Sequence, residues 1–489
     1  MHFSIPDTQE TYADGNNSVG GASPTYTVFN IYINGNYHCC LRYKQLHALH
    51  EQLRRRRADA PLPTFPPKKL LPLSSSQIET RRAALEHYLQ IIGQDARIAR
   101  LPYLQQFLQR AQLDTALAEG NISSEEQLQQ LQVQVYSGGG GNGTGGQLLV
   151  NCHVQQNASS LLQCVTRALD LPDELTQYFC LYLMREEEDQ QLLLRRLMDF
   201  EAPFITRLHM QPCQLLLRTC YWNARYDAKL LPNQVALNLL YQQTLADVSR
   251  EWIICAPEMR HELRAIQLQS GPLPYLELVR QLPSYGCLQF GTAQVDYPQA
   301  GTKATIIIGN GELSLRTDRG PKIYETKFRV RRMRCWRVIA MHNTFESRDQ
   351  PSQLQLSFEY LMNKQTLRWI TISSDQAMVM SVSLQAMVDE LLLSEKECER
   401  EQQSESEAST STGISESSSS TPSTNSATSS SSSALHHSTP PVKFLAQCSK
   451  QQHKLTTART FAAVFFRNDE TAAASVRNEA FEGIGDDDL

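Results

Sequence analysis

The sequence predicts a multidomain α+β protein that ends in an unstructured tail. Three observations carry that class. The chain has 489 residues and 55.3 kDa, more than one hydrophobic core usually organises. Its apolar residues change period along the chain, from two to about 3.6 and back, in blocks of domain size. Its composition, 41% hydrophobic and 20% charged with a mean hydropathy of −0.39, is lean for a wholly packed chain. A Ser/Thr-rich run, SESSSSTPSTNSATSSSSS, supplies that dilution.

Taken in order, residues 1–24 are expected to be disordered. A mixed domain spans 25–112. TYTVFNIYING and NYHCCLRY read as two strands joined by Asn34-Gly35, the strongest short hairpin signal. Tyr43–Arg57 has helical spacing, the loop APLPTFPPKKLLPL follows, and Ser76–Gly93 and Ala99–Gln112 read as two further helices. Residues 122–222 form the next unit. LQQLQVQVY alternates through Leu131, Val133 and Val135, and QLLVNCHV through Leu148, Val150, Cys152 and Val154, on either side of SGGGGNGTGG. Helix Ala158–Leu171 and strands YFCLYLMR and QLLLRTCYW complete a ββα-then-strands order that suits a ubiquitin-like roll. Residues 223–284 are helical in period. Residues 285–393 return to period two and close with helix Asp375–Leu393, the order of a pleckstrin-like sandwich. Residues 394–475 form a disordered linker, because almost nothing there can be buried to offset ordering entropy. Residues 476–489 make a separate C-terminal motif.

Composition narrows the function. Lys plus Arg is 46 against 51 Asp plus Glu, a net charge of −5, which argues against a nucleic-acid binder. No apolar run reaches the ~18–20 residues of a spanning helix, and MHFSIPDTQETYADG lacks the order of a signal peptide. The expectation is a cytoplasmic chain. Its twelve cysteines are scattered without a Cys-x-x-Cys pair and read as buried thiols, so no metal is expected. The Gly-rich run has no Lys and cannot work as a phosphate loop. His50-Glu51 and His261-Glu262 lack a second His four residues on. With no nucleophile elbow, kinase or dinucleotide signature, the chain reads as a non-enzyme without cofactors.

Charge is instead concentrated locally. Residues 36–110 hold thirteen Lys/Arg and five Asp/Glu, a local +8. Arg54–Arg57 read as a solvated face or as general attraction to an anionic surface. Arg81 lies on the stripe of Ile78, Leu85, Tyr88, Leu89 and Ile92, so it must be paired or must line a cavity. Arg42-Tyr43 sets a cation beside an aromatic at a strand end, and Lys68 follows two prolines that stiffen its loop. Arg42, Tyr43, Lys68 and Arg81 together would suit a phosphorylated sugar ring. The alternative is that Arg81 pairs with an internal carboxylate and the others are surface.

Arg42-Tyr43 in LRYKQL, Pro66-Pro67-Lys68-Lys69 and Arg81 before AALEHYL resemble the phox-homology (PX) domain of sorting nexins. That resemblance implies binding of phosphatidylinositol 3-phosphate. It gives Arg42 the 3-phosphate, Tyr43 the inositol ring, Lys68 the 1-phosphate and Arg81 the ring hydroxyls. The roll, helical bundle and sandwich in that order resemble a three-lobed FERM module. MHFSIP, LHEQLR, FPPKKL, LDLPDEL, VALNLLYQQT, RMRCWRV, FEYLMNK, LQAMVDEL and FEGIGDDDL extend the likeness to the PX–FERM sorting nexins along nearly the whole ordered chain. The Gly-rich insert and the Ser-rich linker depart from that family.

The family likeness implies a peripheral adaptor on early endosomes. It would bind Asn-Pro-x-Tyr or Asn-x-x-Tyr signals in receptor tails of integrin and lipoprotein-receptor type and return them to the cell surface, away from lysosomes. The residues support a peptide groove. FRVRRMRCWRV would pair well as a strand, and an extended peptide adds to a strand edge by main-chain hydrogen bonds. Residues 322–337 carry seven basic and one acidic side chain, a local +6. Trp336 is expected to share a strand face with Arg334 and Val338 as an apolar platform. Met380, Leu384, Met387 and Val388 form a helical stripe, expected to be partly core with a rim that meets peptide. In the tail, Phe481, Ile484, Asp488 and Leu489 suit capture by a basic groove. The family likeness implies docking to the retriever recycling complex, and folding back onto the chain's own +6 strand is a further expectation. The alternative functions are a FERM-type membrane–cytoskeleton linker or a phosphoinositide-regulated signalling scaffold.

Overall fold

A computed structural model describes residues 1–12, 25–56, 62–69, 71–122, 128–136, 146–187, 190–319, 322–341, 353–363, 366–410 and 476–481. Most of the Gly-rich run, the Ser-rich linker beyond 410, and Ile484, Asp488 and Leu489 lie outside the described residues.

The first domain is a small antiparallel sheet against helices. Strand β3 (Thr25–Ile33) is central. β1 (Phe3–Ser4) and β2 (Thr8–Tyr12) share one of its edges, and β4 (Asn36–Arg42) takes the other. Asn34 and Gly35 both have positive φ, 51° and 78°, as the tight hairpin of an Asn-Gly pair requires. Helices α1 (Tyr43–Arg56), α2 (Ser75–Gln94), α3 (Ala96–Ala99) and α4 (Pro102–Ala118) follow. Ser74 and Gln77 close a capping box at the start of α2. The core joins Phe29, Ile31 and Leu41 from the sheet to Leu46, Leu49, Leu53, Leu85, Leu89, Leu104 and Leu108 from the helices.

The N-terminus corrects the first half of the expectation of disorder over residues 1–24, since Phe3–Ser4 and Thr8–Tyr12 are strands of this sheet; residues 13–24 lie outside the described residues. Phe3 and Ile5 are fully buried. The Ile5 amide donates to the Glu86 carboxylate at 2.7 Å, and the Met1 amino group donates to the Gly93 carbonyl at 3.0 Å. Gly93 leaves the space that Phe3 fills, because a Cβ there would stand 2.5 Å from the Phe3 ring. So short an apolar stretch shows no clear period. Its burial depends on a helix some eighty residues further along the chain.

The second unit is a mixed sheet, order β6-β5-β9-β7-β8, built from β5 (Leu128–Val135), β6 (Gly146–His153), β7 (Phe179–Glu187), β8 (Gln190–Arg196) and β9 (Gln214–Thr219). α5 (Ala158–Ala168) and α6 (Pro203–His209) accompany it, and β5 runs parallel to β9. α7 (Asp227–Leu230), α8 (Gln234–Ser249), α9 (Pro257–Gln269) and α10 (Pro272–Val279) form the helical unit.

The last sheet comprises β10 (Leu288–Val295), β11 (Thr302–Gly309), β12 (Glu312–Arg319), β13 (Lys322–Arg329), β14 (Met333–Met341), β15 (Gln353–Asn363) and β16 (Thr366–Ser373). It is capped by α11 (Ala377–Thr410) and gains an eighth strand, β17 (Val476–Arg477), from the tail. Helix α11 continues past Leu393 to Thr410, into residues expected to be linker. Its segment Ala377–Glu395 is long and apolar enough by composition to cross a membrane, which corrects the expectation that no run reaches that length. That segment supplies Met380, Leu384, Met387 and Val388 to the core of the last sheet.

Buried polar contacts join the units. Phe200 packs into the first domain's core, and Gln112 of α4 accepts from the Ala202 amide at 2.8 Å and donates to Thr206 at 3.0 Å. Arg218 of β9 makes a bidentate pair with Asp247 of α8 at 2.7 and 2.8 Å. The Trp222 and Asn223 amides donate to Glu390 of α11 at 2.9 and 2.6 Å. An unpaired buried carboxylate would be costly, so these links hold the units in one arrangement.

Candidate functional site

Two arginines of the first domain, Arg42 and Arg81, lie over tyrosine rings where β4 turns into α1. The Arg42 amide donates to the Gln45 side chain at 2.8 Å, which ends the strand and starts the helix at Tyr43. The Arg42 guanidinium carbon lies 2.9 Å from the centroid of the Tyr26 ring, and that of Arg81 lies 4.2 Å from the centroid of the Tyr43 ring. The Tyr43 hydroxyl donates to the Pro66 carbonyl at 2.7 Å, and Arg81 donates to the Pro67 carbonyl at 3.3 Å. These two bonds tie the Pro-rich loop to Tyr43 and Arg81, and exposed Lys68 is the next residue of that loop. Phe65 underlies the loop, with ring centroids 5.7 Å from Tyr43, 4.8 Å from His50 and 4.9 Å from Tyr88. Burial pushes the Tyr43 phenol above its ordinary range, against the pull of the Arg81 charge, so it remains a donor.

The structure therefore brings Tyr43 and Arg81 together against the loop that carries Lys68, and Arg42 directly precedes Tyr43. Among the described residues no carboxylate pairs with Arg42 or Arg81. The internally paired arginine is its neighbour Arg82, which contacts Glu79 at 2.8 Å, Glu86 at 3.0 Å and the Ile5 carbonyl. Glu79, Arg82 and Glu86 stand at i−3 and i+4 spacing, a signal present in the sequence. Arg81 is half-buried rather than part of the core stripe. Of the basic run, Arg54 pairs with Glu51 at 2.7 Å on the surface, and Arg56 stacks on Tyr103.

The peptide groove differs from the expectation. Trp336 is completely buried, its indole N–H donating to Ser381 of α11 at 3.1 Å, and Val338 is buried beside it. Met380, Leu384 and Met387 are likewise core and expose no rim. Arg334 does not share their face. The ladder between β14 and β15 shifts register between Met333 and Cys335, and this bulge turns Arg334 outward, where it pairs with Glu359. An apolar platform of Trp336 beside Arg334 and Val338 is thus overturned by one extra residue in the strand.

What β14 offers is its edge. β17 pairs with it antiparallel, Cys335 opposite Arg477 and Trp336 opposite Val476. Asn478 follows and is almost fully buried. Its amide N–H donates to the Arg334 carbonyl at 3.0 Å, and its side-chain NH2 donates to the Val330 and Met333 carbonyls at 2.7 and 2.8 Å. Its side-chain oxygen accepts from the Ala480 amide at 3.0 Å, and its carbonyl accepts from the Phe481 amide at 3.2 Å. Both donors and the acceptor of the amide are used, and an acid here would set an acceptor against two carbonyls. Asn478-Glu479-Ala480-Phe481 is itself an Asn-x-x-aromatic sequence. Phe481, the expected anchor, is half-buried here. The more deeply held residue is Asn478, which sequence reasoning does not single out, although its pattern is the one anticipated for receptor tails.

Family profiles match the chain in the same order. The PX domain profile covers residues 29–111. The F1 lobe of the sorting nexin 17/27/31 FERM domain covers 133–222, the F2 lobe of the sorting nexin 17/31 FERM domain covers 223–283, and the sorting nexin 17 FERM C-terminal domain covers 286–392. Sorting nexin-17 of Rattus norvegicus is 35% identical over 506 residues, covering 100% of both chains. Sorting nexin-17 of Homo sapiens is 39% identical over 406 residues, covering 81% of this chain and 82% of that one. Sorting nexin-31 of Homo sapiens is 29% identical over 409 residues, covering 80% and 86%.

Proposed function

Because the chain belongs to the sorting nexin-17 family, we propose that it is an endosomal cargo adaptor. Its PX domain binds phosphatidylinositol 3-phosphate through Arg42, Tyr43, Lys68 and Arg81, and the β14 edge of its third FERM lobe receives Asn-Pro-x-Tyr or Asn-x-x-Tyr signals of receptor tails. The tail, through Phe481, Ile484, Asp488 and Leu489, recruits the retriever complex, and cargo returns to the cell surface instead of reaching lysosomes. Two modest contacts on one chain raise apparent affinity at a membrane that carries both ligands.

The observation that carries this reading is the seat of Asn478–Phe481 on β14. An extended strand followed by a turn with a buried Asn is what a receptor signal of that form would present to the same carbonyls. In this reading Trp336 contributes its main chain to the ladder and its ring to the core, and the cargo contacts are the edge of β14 with the Val330 and Met333 carbonyls. Cargo and tail then exclude one another, and a displaced tail is free for capture. Calorimetry with the full chain tests the assignment. An Asn-Pro-x-Tyr peptide should bind saturably and be displaced by a synthetic 476–489 peptide, whereas an Ala-Pro-x-Tyr peptide that binds equally well would remove it.

A further inference from the structure

Resting on the lipid-binding reading above, we propose that Tyr26 is a positioning residue that holds the Arg42 guanidinium in the lipid pocket. Arg42 ends β4 directly opposite Val28 of β3, and Tyr26 lies two residues back on the same face, within reach of a long side chain. The guanidinium sits over its ring. A cation facing an aromatic ring is held by the ring's quadrupole while its in-plane N–H groups stay unused. A carboxylate partner would instead engage those N–H groups and cancel the charge, leaving both less available to a phosphate. Arg42 has no such partner among the described residues, and its side chain is placed by the ring.

The second cation repeats the device, Arg81 over Tyr43. The ordered N-terminus fixes the position of Tyr26, because Thr11 of β2 pairs with it in register. The half-buried ring thus stands on a strand held in register by β2 and carries the guanidinium over its face.

The test uses the full chain with phosphatidylcholine vesicles containing phosphatidylinositol 3-phosphate. Tyr26→Phe should bind within about twofold of wild type, since the face of the ring and not its hydroxyl meets the cation. Phenylalanines with one, two and three ring fluorines at position 26 keep the shape and drain the face of charge. Affinity should fall stepwise, to a total of roughly 3- to 30-fold, the span of a cation–π contact. A flat series, or loss of binding in Tyr26→Phe, overturns the proposal for Tyr26 while leaving the lipid assignment intact. Wild-type chain that ignores these vesicles, or binding that survives Arg42→Gln, defeats the lipid assignment and this proposal with it.

Discussion

The proposed lipid site and the β14 edge both lie in basic stretches, yet the edge is occupied by the chain itself whereas the arginines of the other are met by aromatic rings. At the proposed lipid site, Arg42 and Arg81 lie over tyrosine faces, and among the described residues no carboxylate takes their N–H groups. At the edge, main-chain groups of residues 330–336 are already bonded to residues 476–478. The difference reflects chemistry. A guanidinium tolerates water and can wait for a phosphate, but an unpaired strand edge is a template for any extended segment and is better covered. A pre-organised open site spends its binding energy on ligand, whereas a covered site spends part of it on displacing the cover.

Three substitutions would sharpen or break this contrast. Arg42→Gln removes the cation that ends β4. It should abolish sedimentation with vesicles carrying phosphatidylinositol 3-phosphate and leave peptide binding unchanged. Loss of both would mean that the two sites are not independent. Trp336→Ala should act on stability rather than on affinity alone, because the ring is buried and bonded to Ser381. A cost of about 3–5 kcal/mol is expected in denaturant unfolding of the third lobe. A folded variant of wild-type stability with weakened peptide binding would restore the exposed platform. Asn478→Ala should release the tail and raise cargo-peptide affinity by roughly tenfold, the scale set by a tethered competitor at effective concentrations below millimolar. Unchanged affinity in calorimetry would mean that the tail does not compete.

Local features are legible in the residues themselves. The Asn34-Gly35 hairpin, the strand-to-helix change at Arg42-Tyr43 and the rigid Pro66-Pro67-Lys68 loop depend on near neighbours, so residue type and spacing are enough. The identity of the paired arginine is also written in the chain, in Glu79, Arg82 and Glu86, but the apolar stripe points to Arg81 instead. The parity of β14 is not legible. Alternation places Arg334 with Trp336, and only the ladder to β15 shows the bulge that separates them. Order at residues 1–12 is hidden for a related reason, since Phe3 and Ile5 find their partners on α2.

By itself the sequence determined the class of the molecule and the chemistry of its cations. Period, turn residues and charge clusters act over a few residues and survive without context. Only the tertiary structure decided which of two adjacent arginines lies over Tyr43 and which pairs with carboxylates, that Trp336 is core, and that the chain's own Asn478 fills the edge of β14. Each of those outcomes turns on which distant group buries a side chain or satisfies a main-chain donor. Residues far apart in sequence settle that only once they are packed together.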